Sequence, residues 1–241
     1  MAEKIKRNIL ILGATSSIGR ATAIAFAEKG DTVYLAGRDL IELEKISTDI
    51  HIRYQTETYC SEFDIEKTDD HKSFFETVLK TITRIDGVIF AIGAMGESPI
   101  RIFNINLIFA VLILEICAKY FEKQKSGFII GISSCAGDRG RQSNYLYGAA
   151  KGGFSIYLQG LRNKLFKNNI RVITIKPGFV DTPMTFGLPG LFLVASPEKI
   201  GQLISATPES KKDVFYLPWF WAYIMCVIKV IPEFIFKRMS L

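Results

Sequence analysis

Histidine is almost missing from this 241-residue sequence, which has only His51 and His71. The four cysteines, Cys60, Cys117, Cys135 and Cys226, are scattered and form no C-x-x-C pair. Neither a zinc site nor a disulfide framework therefore has a ligand set, so no metal is expected and the cysteines read as reduced thiols. Proline, glycine and serine do not cluster into a linker, and no segment recurs at a fixed period, which argues against solenoids and propellers. The opening Met1-Ala-Glu-Lys-Ile-Lys-Arg7 has no apolar run before a small-residue cleavage site, so no secretory leader is expected and the location reads as cytoplasmic. A basic stripe of the nucleic-acid kind is also lacking. The net charge is +6, and the last 31 residues hold half of it, with Lys211, Lys212, Lys229, Lys237 and Arg238 against Asp213 and Glu233. That segment is also the most apolar of the chain. Its charge points to a membrane surface or a partner, and no nucleic acid is expected.

What is present is apolar and regularly ordered. Hydrophobic residues make up 49% of the chain, enough for one full core. Near-continuous aliphatic runs at Asn8–Leu12, Thr32–Ala36, Gly87–Ile92, Gly127–Ser133 and Arg171–Lys176 read as strands, with shorter ones at Thr58–Cys60 and Asp213–Leu217. Helical patterns fall between them at Ile18–Lys29, Leu40–Tyr54, Asp69–Thr83, Ile102–Glu122, Ser143–Lys167 and Pro197–Ile204. Strands without alternation fit a parallel sheet covered on both faces. The fold class expected is α/β: a doubly wound parallel sheet of the Rossmann type with helices on both faces. It forms one dinucleotide-binding domain over residues 1–241, with 218–241 as an apolar, basic extension. Ligands of such sheets sit at the carboxyl ends of the strands, so the chemistry is sought there.

After the first strand, Gly13-Ala14-Thr15-Ser16-Ser17-Ile18-Gly19 turns into a helix. Small residues let the backbone approach a pyrophosphate, and the helix start supplies N–H donors. After the second strand, Gly37 stands where an acidic residue would accept from a ribose hydroxyl, and Arg38 offers a cation for a 2′-phosphate. NADP(H) is therefore favoured over NAD(H). Ser133 and Ser134 follow the fifth run, and Tyr147 and Lys151, at i and i+4, share one face of the next helix. A neighbouring ammonium is expected to lower the tyrosine pKa and ready it for proton transfer.

From Asn8 to about Leu217 the chain resembles the short-chain dehydrogenase/reductase family. The family's T-G-x-x-x-G-x-G is met by Gly13 and Gly19 but broken at Leu12 and Ser17. Its Y-x-x-x-K is Tyr147 and Lys151, its serine falls on Ser134, and its helix asparagine on Asn106. Of its N-N-A-G, aligned with Phe90-Ala91-Ile92-Gly93, only the glycine survives. Its P-G-x-x-x-T is Pro177-Gly178-Phe179-Val180-Asp181-Thr182. The resemblance implies that Tyr147 is the general acid or base, that Lys151 tunes it and holds the nicotinamide ribose, that Ser134 orients the substrate oxygen and that Asn106 completes a proton relay. It also implies cofactor contacts from Gly13, Thr15, Ser16, Ser17, Ile18, Gly19, Arg38, Asp64, Ile65, Ala91, Gly93, Pro177, Gly178, Val180 and Thr182. Asp181–Val194 would be a mobile substrate lid. A homodimer or homotetramer through the two long helices is implied as well.

The stretch Ser133–Tyr147 and the Trp-rich ending further resemble a narrower group, the reductase subunit of decaprenylphosphoryl-ribose 2-epimerase. That likeness implies a ketone on a polyprenyl-phosphate-linked sugar, with Arg139 and Arg141 either meeting its phosphate or lying in a solvated loop. Competing readings are a reductase of another apolar carbonyl, acyl or steroid-like, and a non-catalytic dinucleotide-binding protein. The tail helix expected at Trp219–Ile231 is apolar all round. Residues 215–241 would therefore pack against another subunit, fold back as core, or meet the inner face of a membrane peripherally.

Overall fold

The computed structural model describes residues 6–96, 98–187 and 190–239. Leu188 and Pro189 of the expected lid, and Ser240 and Leu241 of the tail, lie outside the described residues. Seven parallel strands form one sheet in the order β3-β2-β1-β4-β5-β6-β7. They are β1 (Asn8–Leu12), β2 (Thr32–Gly37), β3 (Thr58–Glu62), β4 (Gly87–Phe90), β5 (Gly127–Ile132), β6 (Ile170–Pro177) and β7 (Val214–Leu217). The helices are α1 (Ser17–Ala27), α2 (Leu40–Tyr54), α3 (His71–Ile82), α4 (Pro99–Phe103), α5 (Phe109–Gln124), α6 (Tyr145–Phe166), α7 (Pro197–Ser205), α8 (Trp221–Val230) and α9 (Glu233–Phe236).

The absence of alternation in the strands has a direct cause. On β1, Leu10 and Leu12 face one core with α3, α5 and α6, whereas Ile9 and Ile11 face a second with α1, α2 and α7. Both faces are buried, so every position must be apolar.

Several boundaries differ from the sequence expectation. β3 extends to Glu62 because Ala36 pairs with Ser61 and Gly37 with Glu62, polar residues that the apolar pattern passes over. β4 ends at Phe90; Ala91 N still donates to Leu12 O at 2.8 Å, but Ile92 and Gly93 turn into a cavity wall. Between α4 and α5 the helix widens into a π turn over Asn104–Ile108, the kind of bulge that often marks a functional position. The combined stretch Pro99–Gln124 is long and apolar enough to cross a bilayer by length and composition. Here one side of it lies in the core through Ile113, Leu114, Cys117 and Phe121.

The tail folds back. On α8, Trp221 and Met225 are buried against Cys135, with Phe179 and Tyr216 packed around them. Trp219, Tyr223, Val227 and Val230 stay exposed on the opposite side. The all-round apolar pattern thus serves two faces, one inside and one outside.

Candidate active site

A cavity of about 350 Å³ opens at the carboxyl ends of the strands. Its floor on the β1 side is the turn into α1. Gly13 N and Ala14 N both donate to Ala36 O, at 2.8 and 3.0 Å, which clips the turn to β2. Gly13 has φ +88°, and a Cβ there would lie 2.8 Å from Ile92 Cγ1 and 3.0 Å from the Ala91 carbonyl, so only glycine fits. A Cβ at Gly19 would lie 2.2 Å from Gly13 O, so that glycine lets α1 start directly against the strand end. Ser16 caps α1: its Oγ accepts from Gly19 N at 3.1 Å and donates to Gly13 O at 2.7 Å. Thr15, Ser16, Ser17 and Ile18 face the cavity, while Gly13 and Gly19 support them from behind. Such a cradle, closed to any side chain and lying at a helix start, fits the pyrophosphate of a dinucleotide.

The opposite wall comes from β5 and α6. Three glycines bring them together: a Cβ at Gly137 would meet Gly152 N at 2.6 Å, one at Gly148 would meet Ala136 O at 2.7 Å, and one at Gly152 would meet Gly137 O at 2.9 Å. The loop after β5 therefore rests on α6, and Ser134 is delivered to Tyr147 and Lys151. The two serines diverge. Ser133 donates to Lys151 O at 3.0 Å and bonds Ser155 Oγ at 2.7 Å, so it holds α6. The Ser134 hydroxyl meets that of Tyr147 instead. Lys151 is buried; its Nζ donates to Ile132 O at 3.1 Å and lies 5.8 Å from the Tyr147 ring centre.

The electrostatics correct one expectation. Burial pushes the Tyr147 phenol up to about 12, and the Ser134 hydrogen bond opposes this only in part. Burial likewise pushes the Lys151 amine down to about 7. Desolvation penalises both charged forms, so the tyrosine moves opposite to the direction that the i, i+4 spacing suggested.

Asn106 is fully buried on the π turn. Its Nδ2 donates to Ala94 O at 2.7 Å and Ile102 O at 2.8 Å, and its Oδ1 accepts from Ala94 N at 3.2 Å. A Cβ at Gly93 would meet Asn106 Oδ1 at 3.2 Å and Lys151 Nζ at 3.4 Å, which places these three side by side. Ala91, Gly93, Pro177, Gly178, Val180 and Thr182 line the same cavity. Arg38, Asp64 and Ile65 do not. Arg38 is exposed and stands 4.0 Å from Glu66. Asp64 Oδ1 accepts from Glu66 N at 3.0 Å, a local turn, and the buried Ile65 takes His71 Nε2 on its carbonyl at 3.0 Å.

On the β6–β7 side the wall contains residues that the sequence motifs leave without a specific role. Phe179, Phe192 and Trp221 form a ring cluster with centroids 5.3 to 5.6 Å apart. This ties the 181–194 segment to the tail helix. Gly178 permits it, since a Cβ there would lie 1.9 Å from Trp221 Nε1. Arg139 and Arg141 separate. Arg139 bonds Lys229 O at 3.0 Å and Glu233 at 2.8 Å and lies over the Phe236 ring, so it clamps the tail rather than facing the cavity. Arg141 lines the cavity. No group of His, Cys, Asp and Glu that could hold a metal occurs among the described residues.

Comparison with known proteins gives consistent matches. A family model described as short chain dehydrogenase matches residues 7–188. An uncharacterized oxidoreductase of Mycobacterium tuberculosis (strain CDC 1551 / Oshkosh) is 25% identical over 240 residues, covering 96% of each chain. In fold, the chain is similar to a single-substitution form of actinorhodin polyketide ketoreductase with NADPH, at TM-score 0.80 and 17% identity over 92% of this chain and 99% of that one. It is also similar to an NAD+-bound xylitol dehydrogenase, at TM-score 0.77 and 20% identity over 85% and 93%.

Proposed function

Because the chain belongs to the short chain dehydrogenase family, and is an oxidoreductase of it, we propose that it interconverts a ketone and a secondary alcohol with NADP(H) in preference to NAD(H). The observation that supports this chemistry most is the contact between the Ser134 and Tyr147 hydroxyls beside Lys151. When bound, the dinucleotide supplies or accepts the hydride. Thr15 to Ile18 would hold its pyrophosphate; Ala91, Gly93, Val180 and Thr182 would flank it, and Lys151 would meet its nicotinamide ribose. A ketone oxygen lodged between the two hydroxyls is oriented by Ser134 and takes its proton from Tyr147; in the reverse direction the phenolate accepts it. A phenol pushed up to about 12 is protonated throughout the neutral range, which favours reduction there. Both Nδ2 protons of Asn106 are committed to carbonyls. The side chain therefore holds the Gly93–Ala94 wall beside Lys151.

Arg38 carries the cofactor preference. It lies at the end of β2 with 66% of its side chain exposed, and its ion pair with Glu66 is long, so it is free to meet a 2′-phosphate. Arg38→Asp is expected to reverse the preference toward NADH, read by fluorescence titration with both dinucleotides. An unchanged ratio would remove the role from Arg38. Asp64 and Ile65 are assigned to the adenine end, beyond the cavity.

The substrate class proposed is a greasy carbonyl compound, first a polyprenyl-phosphate-linked keto sugar, with an acyl or steroid-like ketone as its competitor. The aromatic wall of Phe179 and Trp221, with Phe192 packed on both rings, supports either, and turnover of each type discriminates them. A non-catalytic dinucleotide-binding chain would turn over neither. The outer tail, with Trp219 and Tyr223 beside Lys229, Lys237 and Arg238, supports peripheral contact with an anionic leaflet. The protein is expected to float with phosphatidylglycerol vesicles, to be released by salt and to ignore pure phosphatidylcholine. If it stays with the soluble fraction in all cases, the tail meets a subunit instead. Exposed Ile108 at the end of the π turn, Leu112 on α5, and Ile156 and Phe166 on α6 support a homodimer or homotetramer through those helices.

A further inference from the structure

Three polar atoms on the β5–β7 side of the cavity are buried without a partner: Arg141 Nε, Trp221 Nε1 and Asn144 Oδ1. Among the described residues nothing takes them. Asp138, the closest acid in sequence, gives one oxygen to Lys176 and the other to Tyr216 Oη at 2.5 Å. Arg139 is held by the tail. Among the described residues no carboxylate lines the cavity, whose charged groups are Arg141 and Lys151. Lys151 already donates to Ile132 O. Burial works against the Arg141 guanidinium, with only Cys135 and Asp138 opposing it, yet an arginine stays charged. A half-buried, unpaired cation requires an anion. The pyrophosphate cradle follows β1, whereas Arg141 follows β5, and β4 lies between them in the sheet.

We propose that this wall binds an acidic group of the substrate, a carboxylate or a phosphate, through the Arg141 guanidinium, with the Trp221 ring packing beside it. Arg141 then selects among ketones: those bearing an acidic group are preferred to neutral ones of the same size. The inference rests on the cavity being the ketone site proposed above.

The chain has only two tryptophans, so Trp219→Phe leaves Trp221 as a reporter inside the wall. In that background, n-octyl phosphate and octanoate are expected to change the emission and to bind at least about tenfold tighter than octanol or octyltrimethylammonium, as a charge-assisted pair with arginine requires. Arg141→Gln should erase that preference while leaving NADPH affinity in place, which also shows that the variant is folded. Equal binding of anionic, neutral and cationic head groups by the Trp219→Phe protein overturns the proposal without recourse to any change at Arg141. So does an octyl phosphate affinity that Arg141→Gln leaves unchanged. The titration needs no turnover. A protein that binds octyl phosphate through Arg141 but reduces no ketone keeps the anion site and sinks the oxidoreductase reading of the cavity. One that reduces neutral ketones but shows no preference among head groups does the reverse. Comparing the two anions decides between phosphate and carboxylate as the natural group.

Discussion

Tyr147→Phe is expected to lower kcat at least about a thousandfold, the upper part of the range for removing a general acid, and to leave NADPH affinity near the parent value. The ring remains to pack in the cavity, Lys151 remains on Ile132 O, and the α1 turn is untouched, so only the proton is lost. Steady-state rates with a panel of ketones and a parallel NADPH titration test this. Substantial residual turnover would mean that another group supplies the proton. The candidate is Lys151, which burial holds at about 7, whereas Cys135, pushed up to about 12, is too weak an acid near neutrality. The pH dependence has a definite sign. Reduction needs the protonated phenol, so its rate holds through the neutral range and falls only as pH rises toward the tyrosine pKa. Oxidation needs the phenolate and climbs over the same interval.

Gly13→Ala should be the most damaging single methyl in the nucleotide turn. A left-handed φ costs a non-glycine residue about 1–2 kcal/mol, and here the new Cβ would also press on Ile92 and the Ala91 carbonyl. These atoms follow β4, the strand next to the turn, so relief must move either Ala91–Gly93 or the turn itself. Dinucleotide affinity is expected to fall by about 30-fold, the equivalent of about 2 kcal/mol, with the thermal midpoint lowered in the same protein. Unchanged NADPH binding would place the pyrophosphate elsewhere than on Thr15 to Ile18.

The sheet was legible in the sequence because its strands are buried on both faces and therefore read as unbroken aliphatic runs; β1 and α2 match the expectation residue for residue. β3 was cut short for the converse reason, since Ser61 and Glu62 sit on a strand that is barely covered. The π turn at Asn104–Ile108 left no trace in the pattern, because widening one turn shifts an apolar period by a single residue in a segment where almost every residue is apolar. The pairing of Tyr147 with Lys151 could be anticipated from their i, i+4 spacing on α6, whereas it was the family resemblance that singled out Ser134 over Ser133. The pKa directions of Tyr147 and Lys151 could not be anticipated, since burial is a property of the assembled cavity. Arg139 was misplaced for a related reason: its partner Glu233 lies 94 residues away, a separation that no local pattern encodes. The unpaired nitrogen of Trp221 was equally hidden in a segment legible only as greasy.

The family match stops at residue 188, and Trp221, whose indole fills the space beside Gly178, lies beyond it. In the reading proposed here the cavity has two parts: a front, β1 to β6, that lies within the family match and would grip the dinucleotide and react, and a back, α8, beyond the end of that match, that would decide what fits. Enlarging residue 178 or shrinking residue 221 would recut the back without touching the front. Relatives alike in the first part can therefore differ freely in what they accept, and a search for this chain's substrate should be guided by the shape of its last quarter rather than by the company its first three quarters keep.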